Sequence, residues 1–155
     1  MVDRYKEIND ELEETTRLMN KNSIAAEGLW GPKRIAKLKE NIKLMEKENK
    51  QLQEKYQLTL KYLDEDKDAL LNAGKDAGVN FNIDEETGLI TNYTDVMTQL
   101  FNERQALLDS FGETMDEEEE KRLAEFDKKV DTIKESYEQY ETTLDEKKDA
   151  EEEHL

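Results

Sequence analysis

The stretch FNIDEETGLITNY, residues 81–93, decides the predicted fold, because it interrupts a chain that otherwise reads as helix. Apolar residues alternate with asparagine before its acidic turn, which is the two-residue period of a β-strand. Asp84 can cap the turn with its side chain, and Gly88 can adopt a positive φ before the chain returns. We therefore expect a small β-hairpin over residues 79–93, packed on the ends of the flanking helices. The side chains expected to pack there are Phe81, Ile83, Leu89, Ile90 and Tyr93.

A long heptad pattern precedes this stretch and predicts a helix from Pro32 to about Asn72. Gly31 as N-cap and Pro32 as first helical residue form its start signal. Asn49 is the polar exception in the seam. It can fix the register by pairing with another polar group, or it can simply reach solvent. The seam comprises Ile35, Leu38, Ile42, Met45, Asn49, Leu52, Tyr56 and Leu63.

The part of the chain after the interruption carries three helix start signals. Thr94 is the expected N-cap of the first returning helix. Thr114 with Glu117, and Asp116 with Glu119, both have the spacing of a capping box for a second helix. That second helix has a continuous heptad seam of Leu123, Phe126, Val130, Ile133, Tyr137, Tyr140 and Leu144.

The helical patterns before and after the interruption have similar lengths, so the chain must double back. Residues 33–50 hold seven basic and three acidic side chains, and we expect them opposite the second returning helix, which begins with EEEE. The predicted fold is all-α: an elongated antiparallel coiled-coil hairpin with a short N-terminal helix and a small β-hairpin at the tip. The N-terminal helix either extends the rod or folds back along it.

The predicted organisation has four segments. Residues 1–31 form an N-terminal helix and a Gly/Trp joint, 32–78 a long helix, 79–93 the hairpin tip, and 94–155 the returning helices, with a break near 112–116. Both ends of the sequence cut into charged helical pattern without a cap. We therefore expect a segment of a longer chain.

Composition and charge exclude several classes of function. With 40 acidic and 23 basic side chains and a net charge of -17, the chain repels nucleic acid and anionic membranes. It has no cysteine, which excludes thiol chemistry, and no apolar run of about 18 residues that could span a membrane. We expect a soluble protein whose partners are proteins, with no nucleic acid, membrane or small-molecule partner.

Residue types that would indicate an enzyme or a metal site are missing. There is no phosphate loop or dinucleotide-binding turn, and His154 is the single histidine. The acidic turn at 84–86 offers a possible cation site, which ordinary surface charge explains better. Residues 64–68 imitate the opening of a calcium loop, but its glycine position holds Ala69 and its glutamate position holds Lys75. We expect no catalysis, cofactor or metal.

Trp30, in GLWGPK, is the most distinctive single residue. It either anchors the joint by packing into a neighbouring helix or docks against another protein, because tryptophan is enriched at binding hot spots. Together with Phe81 and Tyr93 of the hairpin, it is a candidate partner-binding residue.

Three stretches of the chain resemble bacteriophage tail tape measure proteins. They are RYKEINDELEETTRLMNK, AAEGLWGPKRIAKLKENIKLMEKE and VNFNIDEETGLITNYTDVM. In the last stretch the family has a phenylalanine strand, an acidic turn with glycine, and an isoleucine-x-asparagine-tyrosine return. The matching residues are Phe81, Asp84, Gly88, Ile90, Asn92 and Tyr93.

The resemblance implies an internal coiled-coil segment of a viral structural protein located in the virion. Such a protein fills the tail lumen, dictates tail length through its helical extent, takes part in virion assembly and leaves during genome delivery. The tail tube or other copies of the chain are the implied partners. The chain lacks the family's long apolar region, so it cannot form a channel by itself. The alternative is a soluble intracellular coiled-coil interaction module that presents Trp30 or the hairpin to a partner.

Overall fold

The structure, a computed structural model, describes residues 2–154, and side chains from residue 3 to residue 153. Within this range the chain is all-helical, which confirms the predicted fold class at that level. The helices are α1 (Val2–Glu27), α2 (Pro32–Asp76), α3 (Tyr93–Asp109) and α4 (Glu117–His154). Packing divides the chain into two compact units. Unit 1 consists of Met1–Tyr62 and Asp145–Leu155, and unit 2 of Leu63–Leu144.

In unit 1, α1 folds back along the first part of α2. The Arg4 guanidinium lies 2.6 Å from the Glu54 carboxylate, and Asn41 Nδ2 donates a hydrogen bond to Ser23 Oγ (2.9 Å). The start of α1 thus lies beside the middle of α2 and its end beside the start of α2, so the two helices are antiparallel. This answers the question that sequence spacing left open for the N-terminal helix. The predicted helix start at Pro32 is also confirmed.

The last part of α4 packs beside α2 in the same unit. Lys55 Nζ lies 2.9 Å from Glu153 Oε2, and the Tyr56 hydroxyl donates to Glu151 Oε1 (3.4 Å). Unit 1 is therefore built from α1, the first part of α2 and the end of α4.

The expected position of residues 33–50 opposite the start of α4 is not confirmed. In unit 1 their partner is α1, through Asn41, and Ile42 remains 55% exposed. The start of α4 packs instead on α3 in unit 2, where Arg104 forms a bidentate pair with Asp127 (2.8 and 3.2 Å).

Unit 2 contains the main hydrophobic core. Its buried members come from the end of α2, the α2–α3 connection, α3 and α4. In this unit α2 and α4 are antiparallel, since the Thr143 hydroxyl donates to the carboxylate of Asp66, while Asp76, further along α2, lines a pocket with Thr132, earlier in α4. The buried members are Leu70, Ala73, Val79, Phe81, Val96, Leu100, Ile133, Tyr140 and Leu144.

The expected β-hairpin over residues 79–93 does not form strands. Among the described residues, antiparallel pairing is limited to one isolated bridge between Ile83 and Ile90, closed by a hydrogen bond from Asp84 N to Leu89 O (2.9 Å). The alternating pattern was therefore correct in placing two segments side by side but wrong in extending them into strands.

Asn92 explains why the ladder stops after one bridge. Its side-chain Oδ1 accepts a hydrogen bond from Asn82 N (2.8 Å), and its Nδ2 donates to Asn80 O (2.9 Å). The side-chain amide thus takes the place of the next backbone pair. Asn92 is also the N-cap residue of α3, without a side-chain cap bond, so the prediction of Thr94 as N-cap is wrong.

The acidic turn follows the predicted chemistry. Asp84 Oδ1 accepts hydrogen bonds from the backbone N–H groups of Glu86 (2.9 Å) and Thr87 (3.2 Å). Gly88 has a φ of 74°, in the left-handed region that favours glycine. The Tyr140 hydroxyl donates to Gly88 O (2.6 Å), which anchors the turn on α4.

Of the two predicted capping boxes, the structure forms the second one. Glu119 N donates to Asp116 Oδ1 (2.8 Å), and Asp116 N donates to Glu119 Oε1 (3.3 Å). The helix accordingly begins at Glu117. This reciprocal pair satisfies two backbone donors that a helix start leaves open.

Gly74 provides a test of the packing between α2 and the connection that follows it. A Cβ atom at this position would lie 2.9 Å from Phe81 Cδ2 and 3.2 Å from Val79 O. A helical Gly→Ala change ordinarily stabilises by up to about 1 kcal/mol. We expect Gly74→Ala instead to lower the free energy of unfolding by about 1–3 kcal/mol, because the ring and the carbonyl must shift. Urea denaturation followed by circular dichroism measures the change.

Gly28→Ala is the matched control, since a Cβ atom there has no neighbour within 4 Å. It should leave the urea midpoint unchanged or raise it slightly. A Gly74→Ala protein as stable as the control variant would contradict the close packing of Phe81 on α2.

Candidate protein-interaction site

An exposed apolar row follows the start of α2 in unit 1. Its members are spaced by three, four and three residues, so they share one helix face. We call this set the α2 apolar row. It consists of Ile35 (54% exposed), Leu38 (44%), Ile42 (55%) and Met45 (52%).

The row is the open end of a seam that is covered further along α2. Seam positions of a coiled coil are buried against a partner helix. The same heptad repeat continues to Leu52 and Tyr56, which are half-buried. Tyr56 contacts Glu151 of α4, and Leu52 lines a groove together with Glu153. The row therefore has the spacing of a helix-binding face but no helix over it within unit 1.

The groove beside Glu153 runs between α1 and α2 and has a volume of about 680 Å³. Leu12 and Thr16 form its α1 wall, and Leu52 and Lys55 belong to its α2 wall. Asn9 and Glu13 complete the α1 wall, which is therefore mostly polar.

The surroundings of the row are basic in an otherwise acidic chain. Residues 33–50 carry seven basic against three acidic side chains, whereas the whole chain has a net charge of -17. In the heptad that places Ile35 at position a, the e and g positions along the row hold Arg34, Lys39, Asn41 and Glu46, so the basic ones flank its first half. These positions flank the seam and select the charge of a partner helix.

A buried polar pair fixes the register of α1 on α2, and it was not predicted. The Thr15 hydroxyl donates to Gln51 Oε1 (3.0 Å), and both residues are buried. Thr15 follows Ile8 by seven residues, and this spacing is the signal that could have identified it as a seam residue. Asn49 is exposed, which confirms the alternative that it reaches solvent.

Trp30 lies in the turn between α1 and α2 and is 89% exposed. Its ring does not pack into a neighbouring helix, so the structural alternative for this residue is not realised. Ile24, near the end of α1, is also largely exposed. Docking of Trp30 against another protein stays a prediction, and the side chain is free to make such a contact.

The two other predicted partner-binding residues lie in the packing of unit 2. Phe81 is buried, and its ring stacks on Tyr93 with a centroid distance of 6.2 Å. Tyr93 stacks in turn on Tyr137 of α4, with centroids 3.6 Å apart and planes 9° apart. The structure thus brings Phe81 and Tyr93 together within unit 2 and off its open surface, whereas Trp30 belongs to unit 1.

A second apolar groove lies between α3 and α4 in unit 2, with a volume of about 480 Å³. Phe101 is its most exposed ring, and Phe126 and Val130 form part of its wall. Arg104 and Asp127 meet at its edge, and their hydrogen bond lowers the pKa of Asp127. Asp131 and Lys134 also line the groove, so its four charged residues comprise two of each sign.

The acidic clusters have structural roles in the part of the chain that the structure describes. Asp66 accepts the hydrogen bond of Thr143, and Asp84 caps its own turn. No group of three or more His, Cys, Asp or Glu side chains among the described residues is arranged to hold a metal ion. The side chain of His154 lies outside the described residues. None of the described helices combines the length and the apolar character that crossing a bilayer requires.

Comparison of the chain with protein-family models, with curated proteins and with solved structures finds no match.

The stacked tyrosines provide a pH-dependent test of the unit 2 packing. Burial, with a hydrogen bond to Glu141, raises the pKa of Tyr137 to about 12, and burial also raises the pKa of Tyr93. A raised folded-state pKa means that the neutral phenol is favoured by folding. This contribution is fully present below the unfolded pKa of about 10 and is lost as the pH rises through about 12. We expect helicity to fall over this interval, together with the appearance of phenolate absorbance.

Tyr137→Phe should remove the highest-pKa component of the absorbance titration. Tyr56→Phe, a change in unit 1, should leave that component in place. If Tyr137 instead titrated near pH 10, as a tyrosine in water does, the stack with Tyr93 would not exist in solution.

Proposed function

We propose that this chain is a non-catalytic structural segment that works through helix–helix contacts within a larger assembly. The observation that supports this proposal best is the α2 apolar row. A heptad seam continues along α2 beyond the part that α4 covers, and it keeps apolar side chains at each of four consecutive seam positions. Such a surface is typical of a helix that completes its packing with another helix.

The resemblance to bacteriophage tail tape measure proteins gives the assembly its proposed identity. In this role the chain is an internal segment of an elongated antiparallel coiled-coil protein in the virion, and its partners are the tail tube or other copies of the chain. It contributes to tail length through the extent of its helices, at about 1.5 Å per helical residue. This role requires apolar seams and a charged, repulsive surface, and it requires no reaction chemistry.

Purified particles from a phage whose genome encodes this chain test the proposal. Mass spectrometry should detect peptides of the chain in the tails, and genes for tail tube and baseplate should lie beside its gene. In-frame removal of residues 2–154 should shorten the tail, by at most about 1.5 Å per residue removed, when tails are measured by electron microscopy. A Phe101→Gln virion, altered at one exposed side chain of unit 2, serves as the control and should keep its tail length.

Absence of the chain from purified tails, or tails of unchanged length after the removal, would contradict this proposal.

The exposure of Trp30 favours a second candidate function, that of an interaction module outside a virion. Trp30 is exposed, so burying it against a partner would break no packing within the chain. Tryptophan is also enriched among binding hot spots. In this role the α1–α2 turn, with Trp30 and the nearby Ile24, presents the contact surface.

Affinity capture with the immobilised chain tests this second function. A specific partner should be lost with Trp30→Ala and retained with Phe101→Ala, which removes an exposed ring from unit 2. Quantitative mass spectrometry of the captured proteins gives the ratio between the two variants. Equal capture by both variants would exclude Trp30 as the contact.

A further inference from the structure

We propose that the α2 apolar row is the docking site for an acidic amphipathic helix of a partner protein, which lies antiparallel to α2 in line with the end of α4. The inference deepens the second candidate function, since it names a partner class for the interaction module. It involves a different surface from Trp30, so the two can be tested separately.

The first support is continuity with an existing helix interface. In unit 1 the seam of α2 is occupied by α4 at Tyr56, which contacts Glu151, and beside Lys55, which pairs with Glu153. One heptad repeat joins these covered positions to the α2 apolar row. A helix placed over the row would repeat the spacing and direction that α4 already has on the same face.

The second support is charge complementarity. Residues 145–153, the stretch of α4 that packs in unit 1, hold six acidic and two basic side chains. Residues 33–50, which carry the row, hold seven basic and three acidic side chains. The seam therefore accepts an acidic helix where it is covered and is more basic where it is open. Arg34 and Lys39 flank the first half of the row at g and e positions, where glutamate side chains of a docked helix would meet them, whereas Glu46 holds the e position of its second half.

A second copy of the chain is a poorer occupant than an acidic partner. Two copies that met through the same face would set one basic 33–50 stretch against the other, and like charges in such positions are destabilising. The acidic α4 of another copy does not offer a free apolar face either. Its seam residues Ile133, Tyr140 and Leu144 are buried in the core of unit 2.

The α2 apolar row also differs from the other exposed apolar surface. The groove of unit 2 has a single strongly exposed ring, Phe101, and its neighbouring charges Arg104 and Asp127 are paired with each other. The row instead combines four aligned aliphatic side chains with a stretch that has an excess of basic residues, and Arg34 and Lys39 form no ion pair with another described residue. The charged lining of the unit 2 groove, which also includes Asp131 and Lys134, has no such excess of one sign.

The test uses the full chain and a pair of synthetic heptad peptides, labelled for fluorescence anisotropy. Both peptides carry leucine at positions a and d. One has glutamate at e and g, and the other has lysine there. We expect saturable binding of the acidic peptide, at least about tenfold tighter than that of the basic peptide, with the preference reduced by added salt. Peptide self-association is measured separately and subtracted.

Two variants locate the binding surface. The double variant Leu38→Gln/Ile42→Gln keeps good helix formers on a solvent-facing surface, so it should fold normally, and it should weaken binding by about tenfold or more. Phe101→Gln, which removes the exposed ring of unit 2, should bind like the unaltered chain. Circular dichroism melting of all variants confirms that folding is retained.

Charge reversal provides an independent arm that does not alter an apolar residue. Lys39→Glu should weaken the binding of the acidic peptide and strengthen the binding of the basic peptide. Lys61→Glu, an exposed lysine on the same helix but off the row, has the same change in net charge and should shift the two affinities far less.

Four results would overturn the inference. They are equal affinity for the two peptides, no binding of the acidic peptide, loss of binding with Phe101→Gln instead of the double variant, and a concentration-dependent dimer that Leu38→Gln/Ile42→Gln abolishes. The last result would assign the row to a second copy. If one of these results is found while partner capture still depends on Trp30, the interaction module stands and only the docking site on the α2 apolar row is removed. If the acidic peptide binds as expected but no capture depends on Trp30, the docking site stands and the role of Trp30 is removed.

Discussion

Burial of aromatic side chains between residues 63 and 144 is the interaction on which the rest of the structure depends. Charged residues make up 41% of the chain, so apolar contact is scarce and has to be concentrated. Phe81, Tyr93 and Tyr137 form a continuous stack that joins the α2–α3 connection, the start of α3 and the middle of α4. Gly74 permits Phe81 to lie directly on α2. Without this stack, three separate stretches of the chain would have little reason to meet.

Unit 1 buries smaller apolar side chains, such as Ile8, Ala26 and Ala150, and adds polar contacts along its seam. The pairs Thr15–Gln51 and Lys55–Glu153 stand where unit 2 has rings and aliphatic side chains. Polar pairs in a seam specify register more than they add stability. Ion pairs on exposed helices contribute little, and salt weakens them further. The unit therefore has a well-defined alignment of its helices together with a surface that can still accept another helix.

Local signals in the sequence predicted local structure correctly. The Gly31–Pro32 helix start, the Asp116–Glu119 capping box and the Asp84 turn each depend on residues within a few positions of one another. Other local signals failed, since Thr94 is not the N-cap of α3 and the alternating pattern of residues 79–93 does not form strands. The contact of residues 33–50 with α1 could not be read from charge, because it includes a hydrogen bond between the uncharged side chains of Asn41 and Ser23. The heptad pattern identified the residues of the candidate site, but it cannot say which part of a seam a partner covers.

Asn92 illustrates how much one side chain can decide. Its side-chain Oδ1 accepts a hydrogen bond from Asn82 N, and its Nδ2 donates one to Asn80 O, directly before α3 begins. Aspartate has nearly the same shape but no hydrogen to donate. Hydrolysis of this amide during storage would therefore set a carboxylate oxygen against the Asn80 carbonyl, and the resulting repulsion would loosen the connection from within. Deamidation of this one side chain would thus weaken the junction between the α2–α3 connection and α3, which rests here on neutral amide groups.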